Sequence, residues 1–101
     1  MIRIYAERRG SRCRLFVEGH AEYAIGPDVV CAGVSALVGA LVKYAASSPA
    51  CRHLRHSVKS GEVFLSCRGG LGAGFDLVLT GLSAIAAEYP DHVKIESTHC
   101  S

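Results

Sequence analysis

The chain has 101 residues, half of them hydrophobic, and a formal net charge of +2. That is enough apolar material for one domain over 1–101 with its own core, which excludes a disordered tail or a stapled mini-protein. With no tryptophan and one methionine, alanine, valine and leucine must do most of the filling.

Ile2, Ile4 and Ala6 alternate with Arg3, Tyr5 and Glu7, the period of a half-buried strand. Arg8-Arg9-Gly10-Ser11 turns the chain. Cys13, Leu15 and Val17 then alternate with Arg12, Arg14 and Glu18, while Phe16 joins the polar face. A hairpin is expected here. Its arginines are the densest basic group. Nucleic-acid binding usually needs a broader basic face interleaved with exposed aromatics, so the group reads as a solvated surface and no direct nucleic-acid binding is expected.

Gly19 ends the second strand, and His20 opens a loop reaching Asp28. Asp28 is a natural helix N-cap, because its carboxylate can accept a hydrogen bond from a free first-turn amide. Val30, Val34, Leu37, Val38, Leu41 and Ala45 then recur at helical spacing. Gly33 and Gly39 each cost about 1 kcal/mol of helix propensity and hint at close packing against another backbone. Ser47-Ser48-Pro49 ends the helix. The apolar run Val29 to Val42 is interrupted by glycines and a serine and is expected to be too short to cross roughly 30 Å of hydrocarbon.

A second hairpin follows. Leu54, His56 and Val58 share one face, Ser60-Gly61 makes the turn, and Val63, Leu65 and Cys67 share the next strand's inner face. Arg68 to Gly72 reads as a flexible connector. Phe75, Leu79, Leu82, Ala86 and Tyr89 give a second amphipathic helix, stopped by Tyr89-Pro90-Asp91, and Val93 and Ile95 suggest a last strand. The order ββαββαβ predicts an α+β two-layer sandwich, with a five-stranded, mostly antiparallel sheet and both helices on one face. The two ββα units look alike in pattern without a residue-level repeat.

Cysteine usage points to the compartment. Five cysteines is an odd count, and MIRIYAERRGSR places arginines where the apolar core of a secretory signal would sit. Reduced thiols in the cytoplasm are expected, with no membrane association.

The chemistry concentrates between His20 and Cys31. With Asp28 as N-cap, Cys31 falls in the first turn, where free amides and the helix dipole favour thiolate over thiol. A histidine can take the thiol proton and later protonate a leaving amine. Ser35 lies one turn beyond Cys31 on the same side. Free cysteine also packs commonly as a small hydrophobe. The residues alone therefore leave two readings open, a catalytic Cys31 and a structural one in a non-enzymatic protein- or ribosome-binding domain.

The whole string GHAEYAIGPDVVCAGVSALV resembles the signature of the bacterial ribosomal-processing cysteine proteases, the Prp family. Gly19, His20, Ala21, Asp28, Val30, Cys31, Ala32 and Ser35 stand where that signature wants them. The late segment from Tyr89 to Lys94 is similar too, so the likeness covers nearly the whole chain. It implies that Cys31 is the nucleophile and His20 the general base and acid, with Asp28, Ser35, Gly19 and Ala32 supporting. It also implies a homodimer with no metal or organic cofactor. The implied substrate is the precursor of large-subunit ribosomal protein twenty-seven, cut after an aromatic and before a small residue. One departure is a slightly shorter loop before Asp28, stiffened by Pro27.

Other sites are weaker. Cys51, His53, His56 and the His99-Cys100 pair are zinc-ligand types without paired C-x-x-C spacing, and no metal is expected. The glycines from Gly69 to Gly74 lack the lysine of a phosphate loop.

Overall fold

The computed structural model describes residues 1–19, 27–59 and 61–100, with side chains throughout except at 27, 28 and 97–100. The elements run β1 (Ile2–Arg9), β2 (Arg12–Glu18), α1 (Pro27–Ser47), β3 (Arg52–Lys59), β4 (Glu62–Arg68), α2 (Gly72–Glu88) and β5 (Val93–Cys100). The sheet order is β3-β4-β2-β1-β5. All neighbours are antiparallel except β1 and β5, which run parallel. The expected ββαββαβ layout is therefore present, with a mixed sheet.

Alternation decides which face each strand residue takes. Ile2, Ile4, Ala6, Cys13, Leu15, Val17, Leu65, Cys67 and Val93 are buried on the helix side. The opposite face carries Tyr5, Phe16 and Phe64 among charged residues. β1 extends to Arg9, leaving Gly10-Ser11 as a tight turn with Gly10 at φ 56°.

The central β2–β4 ladder pairs like with like. Arg12 faces Arg68, Cys13 faces Cys67, Leu15 faces Leu65, Phe16 faces Phe64, Val17 faces Val63 and Glu18 faces Glu62; only Arg14, opposite Ser66, breaks the match. RCRLFVE and EVFLSCR read as near mirror images, so antiparallel pairing sets each side chain against its own kind.

β3 departs from simple alternation. Its register on β4 shifts between Arg52 and Arg55, and His53 takes φ 55°. Val58, expected on an inner face, is 64% exposed because β3 lies at the sheet edge. Ser60 lies outside the described residues.

The helices pack through small residues set against large ones. A Cβ at Gly33 would sit 3.2 Å from Ile85 Cδ1, and one at Gly81 would sit 2.9 Å from Leu37 Cδ1. Gly33 thus admits a side chain of α2 rather than a backbone, while Gly39 faces open space. α1 is long and apolar enough to cross a membrane by length and composition, contrary to the expectation of a shorter run. In this fold Val30, Val34, Val38, Leu41 and Ala45 of α1 are buried in the core. The run after β4 is not a loose connector. Gly69 and Gly70 have positive φ, and side chains there would strike the backbone of Ala50. Leu71 is buried, and α2 begins at Gly72, ahead of the apolar repeat that starts at Phe75. Arg8 of β1 pairs with Asp76 of α2.

Phe75 is fully buried whereas Leu77, two positions on, is 72% exposed. Phe75→Ala is expected to lower stability by about 3–5 kcal/mol through lost burial and a cavity, and Leu77→Ala by less than about 0.5 kcal/mol. Chemical denaturation midpoints of the two variants check the contrast.

Candidate active site

Cys31 sits on α1 where the helix leaves the core. Its side chain is half-buried and packs partly against the hydrophobic cluster. Ser35, one turn further, is exposed. Both border a cleft of about 340 Å³ between α1 and the β2–β4 end of the sheet. Val17 and Val63 line it from the sheet, Val34 and Val38 from α1, and among the described residues Lys59 and Glu62 are the charged ones on its wall.

Gly19 closes one corner of this cleft and can only be glycine. Its φ is 97°, and an added Cβ would lie 2.2 Å from the carbonyl oxygen of Met1. Its N–H donates to the Gly61 carbonyl at 2.8 Å, which carries the β2–β4 pairing one step past the strand ends. The described chain before α1 thus ends at Gly19, on the wall of the cleft that contains Cys31. His20 and the loop to Gly26 lie outside the described residues, as does the side chain of Asp28.

The helix start differs from the expectation. α1 begins at Pro27, so Asp28 lies within the first turn rather than capping it, and Cys31 is the fifth helical residue. Proline suits a first helical position because its missing N–H would have no partner there and its φ is already helical. Pro27 therefore belongs to the helix and not to the preceding loop. Helical side chains tilt toward the N-terminus, so the Cys31 side chain still leans toward that end. Ala32 is exposed beside it.

The other described thiols are placed differently. Cys13 and Cys67 are buried partners across β2 and β4, and Cys51 is half-buried beside them. Burial, reinforced by the neighbouring Cys51 and Cys13 thiols, pushes the Cys67 thiol up from 9.0 to about 12. Such a thiol is inert as a nucleophile near neutrality. Among the described residues, no group of three His, Cys, Asp or Glu side chains could hold a metal ion. His99 and Cys100, weighed as ligands, have side chains outside the described set.

Several cleft residues have no local sequence signal. Val58, Lys59 and Glu62 join Cys31 at the cleft only through the fold. Gly39, which the sequence marks only as a helix-weakening glycine, lines the cleft with nothing within 4 Å of where its Cβ would stand.

Comparison with known proteins then places the chain. A family model described as cysteine protease Prp matches residues 1–94. The chain belongs to the cysteine protease Prp family. Members of this family are cysteine proteases. No curated protein matches the chain by sequence. Among solved structures, it is similar to an essential ribosomal processing protease Prp from S. aureus in complex with a substrate peptide, at 20% identity and a TM-score of 0.76, covering 97% of this chain and 99% of that one. The same S. aureus enzyme with a covalently linked product peptide gives 21% identity and a TM-score of 0.76, covering 99% of this chain and 100% of that one. A protein from Streptococcus mutans gives 23% identity and a TM-score of 0.72, covering 99% and 96%. At these identities the likeness is one of fold.

A thiol whose folded pKa stands above its unfolded value adds stability that is complete below the unfolded value and is lost as pH rises toward the folded one. For Cys67 that window runs from pH 9.0 to about 12. The alkaline loss of stability across it is expected to be shallower in Cys67→Ala than in the wild type, read by denaturant midpoints at successive pH values.

Proposed function

We propose that this protein is a cytoplasmic endopeptidase that removes the N-terminal extension of a ribosomal-protein precursor, with Cys31 as nucleophile and His20 as general base and acid. The observation that carries the reading is the placement of Cys31 on a cleft that Gly19, the residue bonded to His20, also borders. Gly19, the residue before the histidine in the chain, is thus on the wall of the cleft holding the thiol. In the step itself, His20 takes the proton of Cys31 and the thiolate attacks the scissile carbonyl. The thioester forms as the amine leaves with the proton that His20 returns. Water then releases the new carboxylate and regenerates the thiol.

The cleft suits a short extended peptide with an apolar side chain. Valines line it from both layers, and Gly39 leaves room on the helix side. This agrees with a cut after an aromatic and before a small residue, as the family resemblance implies for ribosomal protein twenty-seven. Lys59 and Glu62 offer opposite charges to the peptide flanks. Ser35 is placed to orient the peptide, Ala32 gives it room beside the thiol, and Asp28, in the first turn of α1, supports the His20–Cys31 pair. The working form in this reading is a homodimer without a cofactor.

Cys31→Ala and His20→Ala are each expected to abolish cleavage of a peptide spanning an aromatic–small junction while the circular dichroism spectrum stays native. Cleavage by the Cys31→Ala protein would end the proposal. Gly39→Leu is expected to keep or raise thermal stability, since leucine is a better helix former. It should cut peptide turnover by at least about tenfold by filling the cleft, because a pocket residue that displaces a substrate side chain forfeits that side chain's binding.

A further inference from the structure

The open face of the sheet joins residues that the sequence scatters. Tyr5 faces Phe16 and Phe16 faces Phe64, so three half-buried aromatic rings form one row across β1, β2 and β4. The Tyr5 and Phe16 centroids are 5.9 Å apart. A groove of about 380 Å³ lies over this row, with Glu7 and Arg14 beside the rings. Four residues further along the strands, roughly 13 Å at the rise of a strand, Arg9 faces Arg12, Arg12 faces Arg68 and Arg68 faces Arg52. That is an unbroken row of arginines across four strands.

The charge asymmetry is broad. Every lysine and arginine of the chain except Arg8 and Lys43 falls on this face or its rim, against Glu7, Glu18, Glu62 and Glu96. The face is therefore far more basic than the net charge of +2 suggests. Like charges directly opposite one another destabilise a sheet. Among the described residues, Glu7 is the carboxylate paired with the arginine row, 3.4 Å from Arg9 and 3.2 Å from Arg12. A bound polyanion would relieve the remaining repulsion.

We propose that this open face binds single-stranded RNA, with bases stacked on the Tyr5–Phe16–Phe64 row and phosphates on the arginine row. Stacking rings need unpaired bases, which a duplex does not offer, and the arginines need a repeating anion. A second copy of the chain would bring the same excess of cations face to face, which electrostatics opposes. The choice of RNA over DNA rests on the proposed action on a ribosomal-protein precursor, which meets RNA in its assembly; the charge and stacking chemistry does not depend on it. The cleft with Cys31 is bordered by none of the aromatic-row or arginine-row residues, and only Lys59 and Glu62, at the end of the sheet, belong to both the cleft wall and the rim of this face.

The test is fluorescence anisotropy of a labelled oligouridine with the full chain at about 50 mM salt and above. Binding is expected, with affinity falling as salt rises. Phe16→Ala and Phe64→Ala should each weaken it by about tenfold. Arg68→Gln should weaken it and flatten the log–log salt slope by about 0.7. Arg68→Lys should restore most of the slope, and circular dichroism confirms that each variant folds. Oligothymidine and duplex RNA of equal length should bind more weakly. The proposal is overturned if oligouridine does not bind, if duplex RNA binds equally well, or if the aromatic variants bind like the wild type. Equal binding of oligothymidine overturns the assignment to RNA. A dimer that dissociates on Arg68→Glu would show a second copy on this face, and also overturns it. Peptide cleavage measured in parallel separates the readings: Arg68→Gln should leave it unchanged, and a wild-type chain that binds RNA but does not cleave the peptide would count against the protease alone.

Discussion

The pairing of β2 with β4 is the constraint on which the rest depends. These strands fill the middle of the sheet, and each buries its leucine and cysteine under the helices while turning its phenylalanine outward. A slip of one residue would carry Leu15 and Leu65 to the open face and drive Phe16 and Phe64 into the helix layer. Because the two strands are near mirror images, one set of hydrophobic choices fixes both. The cost is that arginine meets arginine at one end and glutamate meets glutamate at the other.

Those two ends serve different purposes. At the glutamate end the ladder runs one step further through Gly19 and Gly61, and the opening under α1 becomes the cleft that holds Cys31. At the arginine end the flanking strands add Arg9 and Arg52 to the same row. Surface charge and the position of the cleft thus trace back to one register. The helix pair contributes differently. Gly33 and Gly81 let α1 and α2 interlock, which holds α1 at the height where its fourth and fifth residues meet the edge of the core.

Much of the layout was legible in the sequence, because half-buried strands and amphipathic helices print their period on the chain. The alternation of Ile2, Ile4 and Ala6 and the spacing of Val30, Val34 and Val38 lead directly to the elements seen. The helix starts were harder. Pro27 opens α1 although Asp28 looks like the cap, and Gly72 opens α2 although the apolar repeat starts later. The bulge at His53 and the exposure of Val58 depend on the edge position of β3, which no local pattern records. At the site, the spacing of Cys31 and Ser35 placed them on one helical side, and the cleft bears this out. The opposing wall at Lys59 and Glu62 follows from long-range pairing and has no signature of its own. The same holds for the arginine row, whose members come from four separate strands.

One property of the interior bears on how the chemistry can be measured. Among the described residues no polar or charged side chain is buried, so the described part of the core holds no carboxylate, imidazole or ammonium whose ionisation would unlock it at moderate pH. The thiol that burial perturbs most, Cys67, titrates far on the alkaline side. Between mildly acidic and mildly alkaline solution the described core has little reason to soften. A bend in a rate profile across that interval would then have its source outside that core.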